Sequence, residues 1–164
     1  MIFTTKAEYG VRLLVELGRH GESGEPVSLK ALADAEKLPL AYLERIVARL
    51  KKAGIVESTR GAHGGYRLAR DAGEIRMDDV IVALEGQIAP MTCFVDEDEG
   101  SGGSGQRVVC SHDIDRGQGC ATRLLWTRVQ AGVQSALATT TLGDLVAFAE
   151  RGPAPTATTT GAAA

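Results

Sequence analysis

The chain has 164 residues, of which 44% are hydrophobic and 4% aromatic, and its formal net charge is −3. That length suits one core, which must be aliphatic, and the charge excludes a uniformly basic protein. No apolar run approaches the roughly 20 residues of a bilayer span, the charged start MIFTTKAEYG does not read as a secretory signal, and three cysteines without one argue against a disulfide framework. The expectation is a cytoplasmic protein with no membrane partner and with reduced thiols free for metal or redox chemistry.

Thr5 to Gly18 is predicted to form the first helix. Ala7, Val11, Leu14 and Leu17 recur at helical spacing, and Thr4 or Thr5 can cap it. Glu8 falls on another face, four residues before Arg12, which suits an exposed ion pair. Gly21, Ser23, Gly24 and Pro26 mark a loop. Ser28 can cap a short helix, Leu29 to Lys37, with Leu29, Leu32 and Ala33 inward.

Pro39 suits the first turn of the next helix. There Leu43, Ile46, Val47 and Leu50 form an apolar face, while Tyr42, Glu44, Arg45, Arg49 and Lys52 fall largely elsewhere. Gly54 ends that helix. Ile55 to Thr59 and Tyr66 to Leu68 then pair as strands around Arg60-Gly61-Ala62-His63-Gly64-Gly65. Two helices across a short turn, followed by a glycine-tipped hairpin, make a winged helix-turn-helix. The fold class is therefore mainly α with a small β-hairpin.

Charge agrees with that placement. Residues 37 to 70 hold eight Lys/Arg against two acids, in a chain that is acidic overall. Phosphate binding needs local positive charge, not a basic protein. The glycines at the tip let backbone approach a sugar-phosphate, and Arg60 can reach into a minor groove.

Met77 to Leu84 is predicted to be a short helix with Val80, Ile81 and Leu84 buried. From Pro90 to Gly119 the composition changes to the acidic run Asp96 to Glu99 and the glycine string Gly100 to Gly105. A loop so long inside a compact domain is usually functional or disordered. Ala121 to Ala138 resumes helical periodicity through Leu125, Val129 and Val133, extended by Trp126 and Leu137, and its length suggests packing against a twin in a dimer. Thr141 can cap a last helix, Leu142 to Glu150, and the tail PAPTATTTGAAA has a disordered composition. The division expected is a DNA-binding domain over 1–85, a cysteine-bearing loop over 86–120, a dimerisation and terminal helix over 121–150, and a tail over 151–164.

Cys93, Cys110 and Cys120 contain no C-x-x-C knuckle, so a zinc ribbon is not expected. All three fall in one glycine-rich segment between helices, where thiolates could converge on a soft metal centre. Such a centre needs a fourth ligand. No nucleotide loop and no nucleophile–base pair is present, so neither an enzyme nor a small-molecule substrate is expected.

These residues give the chain a recognisable likeness. It resembles the bacterial winged-helix iron–sulfur transcription regulators, from Thr5-Lys6-Ala7-Glu8-Tyr9 to about Val146. The likeness rests on Tyr42-Leu43-Glu44 with Arg49-Leu50, on the wing Arg60-Gly61-x-x-Gly64-Gly65-Tyr66, on Cys120 followed by Leu125-Trp126, and on Thr141-Leu142-Gly143-Asp144-Leu145.

The resemblance implies a homodimer on double-stranded operator DNA, most often as a repressor. It implies a [2Fe–2S] or [4Fe–4S] cluster held by Cys93, Cys110 and Cys120, sensing redox state, nitric oxide or iron–sulfur supply. The family's loop is usually shorter, and Glu97 to Val108 reads as an insertion. Members that govern cluster assembly place a His three residues after the last cysteine, but here that residue is Arg123, which stays protonated. Nitric-oxide-responsive members use a first-helix carboxylate from the other subunit, which matches Glu8. His112 is the alternative, and His63 belongs to the wing.

By the same resemblance Tyr42, Glu44 and Arg45 face base edges. Glu44 can accept from cytosine and Arg45 can donate to guanine. Arg60 and Gly61 serve the wing, and Arg49, Lys51 and Arg67 contact phosphate. Pro39 and Ala41 replace small hydroxyl residues, so the operator is expected to differ from the family's commonest. A metal-free regulator switched by a Cys110–Cys120 disulfide is the other reading.

Overall fold

The computed structural model describes residues 4–21, 25–61, 64–88 and 121–151. Six helices and one hairpin follow in order among the described residues: α1 (Thr5–Arg19), α2 (Leu29–Glu36), α3 (Leu40–Lys52), β1 (Val56–Thr59), β2 (Gly65–Leu68), α4 (Met77–Glu85), α5 (Ala121–Thr139) and α6 (Leu142–Arg151). A 3-10 turn over Ala72–Glu74 precedes α4.

Capping sets where the helices begin. Thr4 accepts from the Lys6 amide ahead of α1, and Ser28 accepts from Ala31 ahead of α2. Thr141 and Asp144 cap α6 reciprocally: Asp144 N–H donates to the Thr141 hydroxyl at 3.1 Å, and Thr141 N–H donates to the Asp144 carboxylate at 2.9 Å. Those bonds from Thr141 hold the Asp144 carboxyl below its usual range. Pro39 stands one place before its expected position, as the residue preceding helical Leu40.

The core is aliphatic, as the aromatic count requires. Leu13, Leu14 and Leu17 of α1, Leu32 of α2, Leu43, Ile46 and Leu50 of α3, Leu84 of α4 and Leu142 of α6 pack into one cluster with Ile55 and Ile75. α6 is part of that core rather than an appendage. Backbone bonds from Met77 N–H to Thr140 C=O (2.9 Å) and from Leu142 N–H to Ile75 C=O (2.8 Å) sew its start to the start of α4.

The hairpin pairs Val56 with Leu68, Glu57 with Arg67, Ser58 with Tyr66 and Thr59 with Gly65. A third segment joins it: Val27 and Tyr66 exchange backbone hydrogen bonds of 2.9 and 2.8 Å. This extra rung docks the wing on the chain leading into α2.

α5 is divided in its burial. Val133 and Leu137, in its second half, pack with Ala7, Ile81 and Ile88, and Gln130 donates to the Ile88 carbonyl at 2.9 Å. In its first half Leu124 and Leu125 are 60% and 55% exposed. Among the described residues no helix is long and apolar enough to cross a membrane.

Candidate nucleic-acid interface

α3 has two opposed faces because its apolar residues recur every three or four positions. Leu43, Ile46, Val47 and Leu50 are buried, so Ala41, Glu44, Arg45 and Ala48 form the outward ridge. Tyr42 lies between the two. It is half-buried, and its ring meets the Tyr9 ring of α1 edge to face, with centroids 5.6 Å apart.

The wing's glycines have distinct reasons. Gly61 has φ +124°, a conformation that disfavours any side chain. The Gly64 N–H closes the turn on the Gly61 carbonyl at 2.9 Å. A Cβ at Gly65 would stand 2.5 Å from the Val27 carbonyl oxygen, so that glycine lets the wing dock on the protein itself. Close approach to a sugar-phosphate therefore does not explain Gly65. His63, at the tip, lies outside the described residues.

The eight cations of residues 37–70 divide evenly. Arg49 donates to the Leu84 carbonyl at 3.2 Å, Lys51 to the Ser58 hydroxyl at 2.5 Å, Arg67 to Glu57 at 2.5 Å, and Arg70 to Asp79 at 3.4 Å. Lys37, Arg45, Lys52 and Arg60 make no side-chain hydrogen bond or ion pair among the described residues. Three side chains expected at phosphates, Arg49, Lys51 and Arg67, thus also brace the unit from inside. The Glu57–Arg67 pair was readable from the hairpin register, since the two are cross-strand partners. Lys37 and Lys52 enter the set on geometry alone.

Glu8 lies in the first turn of α1 with its side chain 64% exposed, its carboxylate 3.9 Å from Arg12. Arg12 is held more firmly elsewhere. Its guanidinium donates to the Glu36 carboxylate at 2.9 Å and to the Glu36 carbonyl at 2.5 Å, and lies 6.0 Å over the Tyr9 ring. Glu8 is therefore a loosely engaged carboxylate beside a tightly engaged arginine. Cys93, Cys110, Cys120 and His112 lie outside the described residues. Among the described residues no group of three or more His, Cys, Asp or Glu could hold a metal.

A recognition helix with an open ridge that carries Glu44 and Arg45, a docked wing and uncommitted cations on both define a winged-helix DNA-binding protein. Residues 3–148 match the Rrf2 family model, described as an iron-dependent transcriptional regulator. The chain belongs to that family. It is 38% identical over 146 residues to protein rrf2 of Nitratidesulfovibrio vulgaris, covering 89% of this chain and 87% of that one. It is 36% identical over 151 residues to the regulator CymR of Bacillus subtilis, covering 92% and 93%. The solved structure of that CymR, described as a global cysteine regulator, superposes with a TM-score of 0.69 over 90% of this chain and 97% of that one. The structure of T. potens IscR gives a TM-score of 0.69 at 32% identity, covering 94% and 93%. The protein is accordingly a DNA-binding transcriptional regulator and not an enzyme.

Proposed function

We propose that the protein acts as a homodimeric repressor whose grip on an operator is governed by an iron–sulfur cluster. The observation that carries this reading is a continuous path from Glu8 to the reading helix. Arg12 touches Glu8, Tyr9 and the end of α2, and Tyr9 touches Tyr42 on α3.

Cys93, Cys110 and Cys120 would hold the iron as thiolates, and Glu8 of the partner subunit, or else His112, would complete the set. The donor chemistry fits, because thiolates suit such clusters and an exposed carboxylate with one long ion pair is free to ligate. When bound, the cluster supplies a centre whose redox state, nitrosylation or loss is the signal. The chain's own residues relay the rest. A shift of α1 at Glu8 reaches Tyr42 through Tyr9, and reaches the turn ahead of α3 through Arg12 and Glu36. Glu44 and Arg45 then face base edges while Lys37, Lys52 and Arg60 are placed for the sugar-phosphate backbone. The bare apolar half of α5 is the surface a second subunit would cover.

The test is anaerobic purification of the full chain with iron and acid-labile sulfide counts. The expected product is brown, and Cys93→Ser and Glu8→Ala each lower iron content or shorten the cluster's lifetime. A colourless product that reconstitution leaves unchanged removes the cluster. A second reading draws on the likeness to CymR, a global cysteine regulator. In it a reversible Cys110–Cys120 disulfide replaces the metal. A mild oxidant that alters operator binding of iron-free wild type, but not of Cys110→Ser, supports that alternative.

A further inference from the structure

The head of α3 is unusual in what it lacks. Pro39, Leu40 and Ala41 are all exposed, and none has a side-chain donor or acceptor. No side chain caps the helix there, as none caps α4, whereas α1, α2 and α6 each have such a cap. Leu40 is 40% exposed and is the only large exposed hydrophobic in the described part of residues 25–70. The others, Val82, Leu124, Leu125, Val129 and Phe148, lie on α4, α5 and α6.

The surroundings of Leu40 say what would cover it. Lys37 and Arg45, both without a partner among the described residues, stand three residues before it and five after it, and Glu44 is one helical turn on. An apolar residue on a surface that also carries uncommitted cations suits a duplex better than an uncharged protein face. The major groove offers one apolar group at the base edges, the C5 methyl of thymine.

We infer that Leu40, with Ala41 beside it, reads thymine methyl groups next to the base pair addressed by Glu44 and Arg45. This rests on the operator-binding reading above and adds its chemistry. The helix head discriminates by apolar contact, where a hydroxyl there would use hydrogen bonds. The small Ala41 and Ala48 keep the ridge low, so the helix can sit close to the groove floor. Leu40 is then a specificity-determining residue.

The test uses the full-length protein and duplexes selected by it from a randomised pool, with affinity read by fluorescence anisotropy at fixed salt. Each thymine of the selected site is replaced singly by deoxyuridine, which removes only the methyl. At one or two thymines per half-site binding is expected to weaken about three- to fivefold, the scale of one buried methyl. Leu40→Ala should lose that discrimination while binding the uracil duplex about as the wild type does, and Leu40→Met should retain it. Equal affinity for every uracil duplex, or a selected site without thymine near the helix head, overturns the inference while operator binding itself stands. Enrichment of no sequence overturns the operator reading, and this inference with it.

Discussion

The helix-turn-helix with its wing and the first half of α5 are opposite kinds of structure. In the former the wing and half of the cations have internal partners: Arg49 holds α4, Arg67 pairs across the hairpin, and Gly65 seats the wing on Val27. In the latter Leu124 and Leu125 are mostly exposed and belong to neither core cluster among the described residues. The reading unit has a complete core among the described residues, whereas the first half of α5 is left bare among them. In the proposed homodimer, recognition would be braced within each subunit, and its regulation would fall to contacts between subunits.

The largest test of that contrast is to make the bare surface polar. Leu125→Asp is expected to give a folded monomer, since a residue so exposed contributes little to the subunit's own core. Loss of the second half-site should weaken operator binding by roughly 10²- to 10⁴-fold. Sedimentation and anisotropy check the two parts. A variant that remains dimeric at operator-binding concentrations would break the comparison by moving the interface elsewhere.

Next in size is a wedge in the complete region. Gly65→Val sets a side chain against the Val27 carbonyl, 2.5 Å from its Cβ, where the neighbour is backbone and yields little. The expected cost is about 1–3 kcal/mol of stability by denaturant titration. Arg60 would move with the wing, so operator affinity should fall by about 1–3 kcal/mol as well. Lost stability with full affinity would separate wing docking from wing reading.

The same contrast explains what the sequence revealed. Helices α1, α3 and α4 were legible because each buries a face whose spacing is written in leucines and valines, and the hairpin because glycines punctuate it. The Val27 rung was not legible: one residue after Pro26 carries no strand pattern, and its partner Tyr66 lies far along the chain. Nor was the fate of Arg49, whose acceptor is a backbone carbonyl 35 residues away. Of the candidate site, the outward places of Glu44 and Arg45 follow from helical phase. Which cations remain uncommitted is set by tertiary partners that no local spacing encodes.

A smaller effect is expected between the two regions, where Glu85 at the end of α4 meets the start of α1. Burial raises its carboxyl, but the Thr4 hydroxyl and the Lys6 ammonium at 3.1 Å outweigh that and hold it below the usual 4.5. A depressed carboxyl stabilises the fold above its unfolded value, and that contribution fades as pH falls through the folded one. Wild type should therefore exceed Glu85→Gln in melting temperature at neutral pH, with the gap closing below about pH 4.5. A gap that stays constant into acid would mean that shape at this joint matters more than charge.

The smallest expected effect isolates one residue of the complete region that is under strain. Lys37 ends α2 at φ 54°, the one non-glycine residue at positive φ among the described residues. A glycine accepts that conformation without the Cβ penalty, so Lys37→Gly should raise stability by about 1 kcal/mol. The lysine also lacks a partner among the described residues and stands in the turn between α2 and α3. If it meets a phosphate, the same substitution weakens operator binding evenly across sequences and lowers the salt slope by about one. Stability and affinity would then move in opposite directions on one substitution, as expected where strain is kept for a contact made only on DNA. A stabilised variant with unchanged affinity and salt slope would leave Lys37 as strain without use, and would confine the cationic surface to Arg45, Lys52 and Arg60.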